Sequence, residues 1–146
     1  MYPDEQVSGL IREKFIPVKI HMKENPAGFE RFGAQWTPTV IVADPGGAER
    51  YRFEGFLPAQ DFLAQLQLGL AKAAFAAGRF EEAEQLYRDI VSRHPTSDAA
   101  PEALYWAGVS KYKATNDAAA LKQTADAFGT QYAESQWAKK ASVWRG

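Results

Sequence analysis

The fold of this chain is decided by the stretch Arg31-Phe32-Gly33-Ala34-Gln35-Trp36-Thr37-Pro38-Thr39-Val40-Ile41-Val42-Ala43-Asp44-Pro45-Gly46-Gly47. Its apolar run at residues 39–43 shows no alternation, which predicts a strand that is covered on both faces. The Asp-Pro-Gly-Gly that follows tolerates tight turns and positive φ, so the chain should reverse there. Residues 49–54 alternate apolar and charged side chains, which predicts an antiparallel strand with one solvated face.

Three elements are predicted before this stretch. A helix begins at Asp4 or Ser8 and reaches about Phe15, because apolar residues recur there at helical spacing. Residues 16–22 alternate apolar and other side chains, which predicts a strand with one buried face. A short helix follows over residues 26–32, since an Asn-Pro pair supplies a cap and a first helical residue. The predicted order of elements up to residue 54 is therefore α-β-α-β-β.

The rest of the chain shows helical periodicity. Short loops marked by Pro, Asn-Asp or Ser separate the periodic segments. The predicted helices cover residues 58–77, 80–94, 101–114, 117–133 and 136–144. The fold class predicted from these patterns is an α/β layer of about three strands followed by an all-α array.

Composition excludes several classes of function. The 17 basic and 18 acidic residues nearly cancel, so no strong field attracts nucleic acid or a membrane surface, and neither partner is expected. No apolar run approaches the roughly 20 residues that span a bilayer, and the N-terminal residues lack the regions of a signal peptide. We therefore expect the chain as given to be cytoplasmic, although missing upstream sequence would leave the compartment open.

The chain contains no cysteine. This excludes disulfides, thiolate nucleophiles and thiolate metal sites for the chain itself, so we expect no disulfide reductase activity. His21 and His94 are its two histidines, and a structural role is expected for both. His94, close to a predicted helix C-terminus, should be favoured as a cation. No catalytic residue, metal or cofactor is predicted.

Several of these features together resemble the C-terminal three-quarters of a thioredoxin-fold domain. They are the strand at 16–22, the helix ending in Phe-Gly, the Trp-Thr-Pro-Thr turn, the apolar strand, the Asp-Pro-Gly-Gly hairpin and the Phe-Glu-Gly-Phe after it. The resemblance covers about residues 2–70, and it implies that Pro38 is the family's cis-proline. The family's Cys-x-x-Cys and first central strand would lie upstream of the matched residues. Either the chain was cut at, or started from, an internal Met, or its lineage lost the redox centre.

From Leu68 onward the chain is similar to a tetratricopeptide repeat, a helix pair with a period of about 34 residues. The matching positions are Leu70, Ala71, Gly78, Ala83, Tyr87 and Pro95. A second, looser repeat follows, in which Lys111 and Thr124 replace the aromatic or bulky residues that the family usually has. The predicted helix 58–77 would then be shared by two domains, a truncated thioredoxin-like domain at 1–66 and a tetratricopeptide-like domain at 58–146.

Two sets of residues are candidates for peptide binding. The thioredoxin resemblance implies that the backbone before the cis-proline can pair with an extended segment, which gives Trp36, Thr37 and Pro38. The second set lies on the expected concave side of the repeats and comprises Gln65, Leu68, Lys72, Glu102, Tyr105, Val109 and Tyr112. Tyrosines are common in binding surfaces, yet Tyr105 and Tyr112 would equally fit packing between helices. Trp137 and Trp144 should cap the core, with a partner surface as the alternative.

The leading hypothesis is a non-enzymatic module that binds a protein or peptide partner. The alternative is a fragment of a thioredoxin-like thiol-disulfide oxidoreductase whose Cys-x-x-Cys lies upstream.

The absent strand of the thioredoxin fold would lie between the strands at 16–22 and 39–43. These two could close up as a direct pair, or stay open and recruit a strand from another chain. An open apolar edge is an aggregation hazard, and the first helix would also expose Leu10 and Ile11. We therefore expect a homodimer through the thioredoxin-like half.

Overall fold

The computed structural model describes residues 4–146. Two short helices, a two-stranded sheet and a longer helix that packs on the sheet precede an array of further helices, which confirms the predicted fold class. The helices are α1 Glu5–Lys14, α2 Pro26–Arg31, α3 Ala59–Ala76, α4 Phe80–Arg93, α5 Ala99–Thr115, α6 Ala119–Thr130 and α7 Gln136–Ala141; the strands are β1 Thr39–Ala43 and β2 Glu49–Glu54. A 3-10 turn at Ser142–Arg145 follows α7. Within residues 4–146, no helix combines the length and hydropathy that crossing a bilayer requires.

The two strands form an antiparallel hairpin. Val40 lies opposite Phe53 and Val42 lies opposite Tyr51, with an irregularity in the register after Val42. The turn is closed by Asp44, whose side chain accepts a hydrogen bond from the backbone N–H of Ala48 at 3.0 Å. This bond and the contact with the Arg50 guanidinium lower the pKa of Asp44. Local side-chain chemistry therefore builds the reversal that the sequence predicts.

Two helix starts also follow local rules. Asp4 accepts hydrogen bonds from the backbone N–H groups of Gln6 and Val7 at 2.9 and 3.0 Å, and so caps α1. Asn25 caps α2 by accepting from the backbone N–H of Gly28 at 2.9 Å, with Pro26 at the first helical position.

The predicted strand at residues 16–22 is wrong. This segment lies outside any strand or helix, and its apolar side chains are exposed, with Ile16 at 93% and Val18 at 80% of their full accessible surface. An alternating pattern gives a strand only where a neighbouring strand supplies hydrogen bonds. Within the described residues, the sheet consists of β1 and β2 alone and provides no such neighbour for 16–22.

The expected exposure of Leu10 and Ile11 is also wrong. Both side chains are partly buried and pack against a cluster that includes Val7, Phe62 and Leu63. Helix α3 covers this face of α1, so the sheet is not needed to bury it. Leu10 therefore belongs to the core of the chain itself.

Helix α3 contributes to two separate clusters of buried side chains. Phe62, Leu63 and Leu66 pack with α1 and the hairpin. Ala64, Leu68, Ala71 and Ala74 pack with residues of α4 and α5, among them Tyr87, Ile90 and Ala103. A third cluster joins α5, α6 and α7 around Leu104 and Phe128. Helix α3 is thus buried by the hairpin and by the helical array at once.

Close contact between neighbouring elements requires glycine at two positions. A Cβ atom on Gly69 would lie 2.6 Å from Cγ2 of Val42, so glycine lets β1 approach α3. A Cβ atom on Gly108 would lie 2.7 Å from Cβ of Thr124, where α5 meets α6. Thr124 is buried and bonds its own helix by donating to the carbonyl of Ala120 at 2.8 Å. Thr124, which stands where the family usually has a bulky residue, therefore lies at the point where α5 and α6 approach most closely.

Replacing Gly108 by alanine should destabilise the chain by about 1–3 kcal/mol, because the new methyl group overlaps Thr124 and the two helices must separate. Urea unfolding measures the change. The matched control is Gly9→Ala in α1, where nothing lies within 4 Å of the added Cβ atom. There, the higher helix propensity of alanine should stabilise by up to about 1 kcal/mol. Equal effects of the two substitutions would contradict this packing.

Candidate peptide-binding site

Tyr51 connects the hairpin to helix α3. It is half-buried on β2, and its hydroxyl donates a hydrogen bond to Oε1 of Gln65. Nζ of Lys72 lies 4.5 Å from the centroid of the Tyr51 ring, within the range of a cation–π contact. Gln65 and Lys72 are seven residues apart on one helix, which is close to two turns, so both reach the same side chain. The alternation of β2 thus turns Tyr51 toward a polar face of α3.

Lys72 also reaches the second helix of the site. Its Nζ lies 2.5 Å from a carboxylate oxygen of Glu102 on α5, and the two side chains are only 25% and 15% exposed. Glu102 stands in the first turn of α5, where a negative charge interacts favourably with the helix dipole. Removing one partner of such a shielded pair is costly because the other charge remains poorly hydrated. The pair therefore fixes α3 and α5 relative to each other beside Tyr51.

A cavity of about 180 Å³ adjoins this pair. It is lined by Lys72, Phe75, Tyr87 and Trp106. Trp106 lies one turn after Glu102, and its ring meets Phe75 edge-on at 5.4 Å. The indole Nε1–H of Trp106 is buried and has no acceptor among the described residues. A buried donor without an acceptor is uncommon in native structures.

The two tyrosines of the site are held in the neutral form. Burial, with a smaller contribution from the negative charge of Glu102, raises the pKa of Tyr51 to about 12. The same two causes, in the same order, raise the pKa of Tyr87 above its usual range. Both phenols are protonated at neutral pH, as ordinary tyrosines are, and the raised pKa values extend this donor form into the alkaline range.

A larger cavity of about 450 Å³ lies elsewhere, between the loop after α4 and the start of α7. Several hydroxyl groups around it are already bonded to nearby backbone. Tyr132 donates to the carbonyl of Pro95 at 2.6 Å, Ser97 donates to the carbonyl of His94 at 2.7 Å, and Ser135 donates to that of Tyr132 at 2.7 Å. Because these hydroxyl groups already donate to the backbone, they are not available as donors to a ligand. The smaller cavity beside Trp106 is therefore the better candidate for a binding site.

The structure brings some of the predicted site residues together. Gln65 and Lys72 meet through Tyr51, and Glu102 pairs with Lys72. Leu68, in contrast, is fully buried and cannot meet a ligand at the surface.

The predicted tyrosines of α5 lie outside this cluster. Tyr105 stacks on Trp144 at 4.8 Å and contacts Trp137 at 5.2 Å, so these three aromatic side chains pack together. Tyr112 is half-buried near the C-terminal end of α5, and Val109 is half-buried one turn before it.

Trp36, Thr37 and Pro38 form a separate exposed loop before β1. The side chain of Trp36 is 64% exposed, and the Thr37–Pro38 peptide bond is cis. Thr39 donates to the carbonyl of Trp36 at 2.6 Å, and the carbonyl of Pro38 accepts from the backbone N–H of Gly55 at 2.9 Å.

Two residues of the site are not among the binding positions that the sequence predicts. Tyr51 lies in the alternating segment 49–54, and its hydroxyl is the feature of the sequence that indicates a polar partner. Trp106 follows Glu102 at a spacing of four, which places both on one face of a helix. That spacing could have identified Trp106 as a neighbour of the predicted concave positions.

The predicted charge of His94 is wrong. Burial and the neighbouring Arg93 lower its pKa, and these effects outweigh the attraction of Asp61. His94 is therefore favoured as the neutral form, although it follows the last turn of α4. His21 is exposed, and its Nδ1 accepts from the backbone N–H of Lys23 at 3.3 Å. Among residues 4–146 there is no group of three or more His, Asp or Glu side chains suited to a metal ion.

Two family models match parts of the chain. Residues 2–69 match the family model of a thioredoxin-like domain, and residues 64–109 match that of a tetratricopeptide repeat. The chain is therefore similar to a thioredoxin-like domain in its first part and to a tetratricopeptide repeat in the part that follows, and residues 110–146 lie outside both matches. The two matches overlap at residues 64–69, inside α3. Gln65 lies in this overlap, and Tyr51 belongs to the thioredoxin-like segment alone. No curated protein and no solved structure gives a significant match.

Alkaline pH should test the environment of Tyr51. Its pKa is about 12 in the folded chain against 10.0 for a free tyrosine, so the folded state holds its proton more tightly than the unfolded state. The stabilisation is complete below pH 10 and is lost as the pH rises toward 12, since the unfolded chain releases the proton first. In urea unfolding over this range, Tyr51→Phe should lose less stability than the original chain. Parallel pH dependences of the two proteins would contradict the assignment.

Proposed function

We propose that this chain is a non-enzymatic module that binds a protein or peptide segment at the face between α3 and α5. The observation that carries the proposal is the cavity beside the Lys72–Glu102 pair, which is lined by the side chain of Trp106, a residue whose buried indole N–H lacks an acceptor among the described residues. A peptide carbonyl is a suitable acceptor for an indole N–H. The absence of cysteine from the chain fits a binding role better than thiol exchange.

The chemistry of the site favours an extended peptide with an apolar side chain. Phe75 and Trp106 offer aromatic surfaces to such a side chain. The backbone carbonyl next to it would accept from Nε1 of Trp106. Lys72 retains donor capacity beyond its contact with Glu102, because an ammonium group carries three N–H bonds. Aromatic anchors beside a few placed polar groups are the usual composition of peptide-binding pockets.

The site also depends on how the two halves are joined. We propose that α3 is both the last helix of a domain at 1–66 and the first helix of a domain at 58–146. The contacts of Gln65 and Lys72 with Tyr51 support this division, since one helix carries the residues that meet the hairpin and the residue that meets α5.

Selection from a phage-displayed library of random linear peptides tests the proposed function. Peptides that bind the chain should share an apolar anchor position. Trp106→Phe keeps an aromatic ring but removes the N–H, and should weaken binding by up to about tenfold through loss of one hydrogen bond. The double variant Lys72→Met/Glu102→Met should also weaken peptide binding. Both charges are replaced together so that neither remains buried without its partner. Calorimetric titration with one selected peptide measures each change.

Trp36→Phe is the matched control for Trp106→Phe, because it makes the same exchange in the exposed loop before β1. It should leave the affinity unchanged. If the affinity falls with Trp36→Phe and is insensitive to Trp106→Phe, binding takes place at the loop before the cis-proline. Failure to enrich any peptide over an unrelated protein of similar size would overturn the proposal.

A further inference from the structure

Both outer edges of the two-stranded sheet lack a strand neighbour within the described residues, and they differ in charge: β2 carries Glu49, Arg50, Arg52 and Glu54, whereas β1 carries no charged side chain. β1 is hydrogen-bonded to β2 on one side, and the described chain places no strand on its other side. Residues 39–43 contain Val40, Ile41 and Val42 and no charged side chain. Natural edge strands are commonly protected by charges, prolines or bulges that block further pairing. The interior of β1 carries none of these along the run from Val40 to Val42, and its register irregularity comes after Val42.

A second segment of the same chain has the complementary property. Residues 15–22 follow α1 without regular structure, and Phe15 at its start has an extended backbone with φ −129° and ψ 156°. Ile16, Val18, Ile20 and Met22 alternate with other residues, and all four are exposed. A period of two is the pattern of a strand with one apolar face. The segment has the sequence of a strand but no strand partner among the described residues.

We propose that the free edge of β1 binds residues 16–22 of a second copy of this chain, and that the exchange is reciprocal. Each copy carries one uncharged free edge, that of β1, and one unpaired strand-like segment, so two copies related by a two-fold axis can pair each segment with the β1 edge of the other copy. The segment is compatible with this edge electrostatically, because its one permanent charge, Lys19, would meet no charge within residues 39–43. A strand added to a sheet edge gains main-chain hydrogen bonds, and its alternating side chains supply specificity.

A second copy is favoured over an unrelated partner because the exchange of strands between two copies is reciprocal. An unrelated strand could pair with β1, yet the exposed apolar side chains of residues 16–22 would remain in water. In the exchanged dimer the same contact places these side chains against the partner's sheet. The surface involved differs from the cavity beside Trp106, so dimer formation and peptide binding can be tested separately.

Sedimentation equilibrium of the purified chain at tens of micromolar, an estimate of a concentration adequate for a specific interface, should show a dimer. Val18→Lys should convert it to a monomer, because a charge would enter the new sheet. The side chain of Val18 is 80% exposed in the single chain, so its replacement should leave the folded monomer intact, as far-ultraviolet circular dichroism can verify.

The matched control is Val143→Lys, which makes the same exchange at an apolar side chain that is 75% exposed in the 3-10 turn after α7. This variant should remain dimeric. A monomeric original chain overturns the proposal, and so does a dimer that resists Val18→Lys or that Val143→Lys dissociates. A monomer that binds an added synthetic peptide of alternating apolar sequence at β1 would show that the edge accepts a foreign strand and not a second copy. Retention of selected-peptide binding by a monomeric Val18→Lys chain would keep the proposed function separate from this result.

Discussion

The structure depends on the burial of helix α3 by two different sets of neighbours. Phe62, Leu63 and Leu66 lie in the cluster formed with α1 and the hairpin, whereas Leu68 and Ala71 lie in the cluster formed with α4 and α5. A surface helix normally buries a single apolar stripe. Because α3 is covered by both halves, neither half can move away without exposing part of the same helix.

The candidate site is a consequence of this shared burial. Tyr51 belongs to the hairpin, Gln65 and Lys72 belong to α3, and Glu102 belongs to α5. Glycine at position 69 allows β1 to pack closely on α3, which holds the hairpin against the helix. The polar contacts of Tyr51, Lys72 and Glu102 then connect the hairpin to α3 and α3 to α5. A ligand bound beside Trp106 would therefore lie next to Lys72, which the hairpin contacts through Tyr51.

The features that could be predicted from the sequence are those with local causes. The Asp44 turn and the caps at Asp4 and Asn25 each depend on residues a few positions apart, and they form as the sequence indicates. The failures are non-local. Residues 16–22 have the pattern of a strand, but a strand exists only with a neighbour. The neutral form of His94 likewise depends on burial by the surrounding structure, and the helix end alone suggested a cation. The contact of Lys72 with Tyr51 and Glu102 joins residues far apart in the chain, so helical spacing could indicate the face but not the partners.

Urea unfolding monitored residue by residue with nuclear magnetic resonance tests most directly whether α3 makes one cooperative unit of the two halves. The amide signals of β1 and β2 should disappear at the same urea concentration as those of α4 and α5. Leu66→Ala, a substitution on the hairpin side of α3, should lower both midpoints equally, since burial of this leucine supports a helix that the repeat also needs. Loss of the hairpin signals at a distinctly lower urea concentration, with α4 and α5 still folded, would contradict the account.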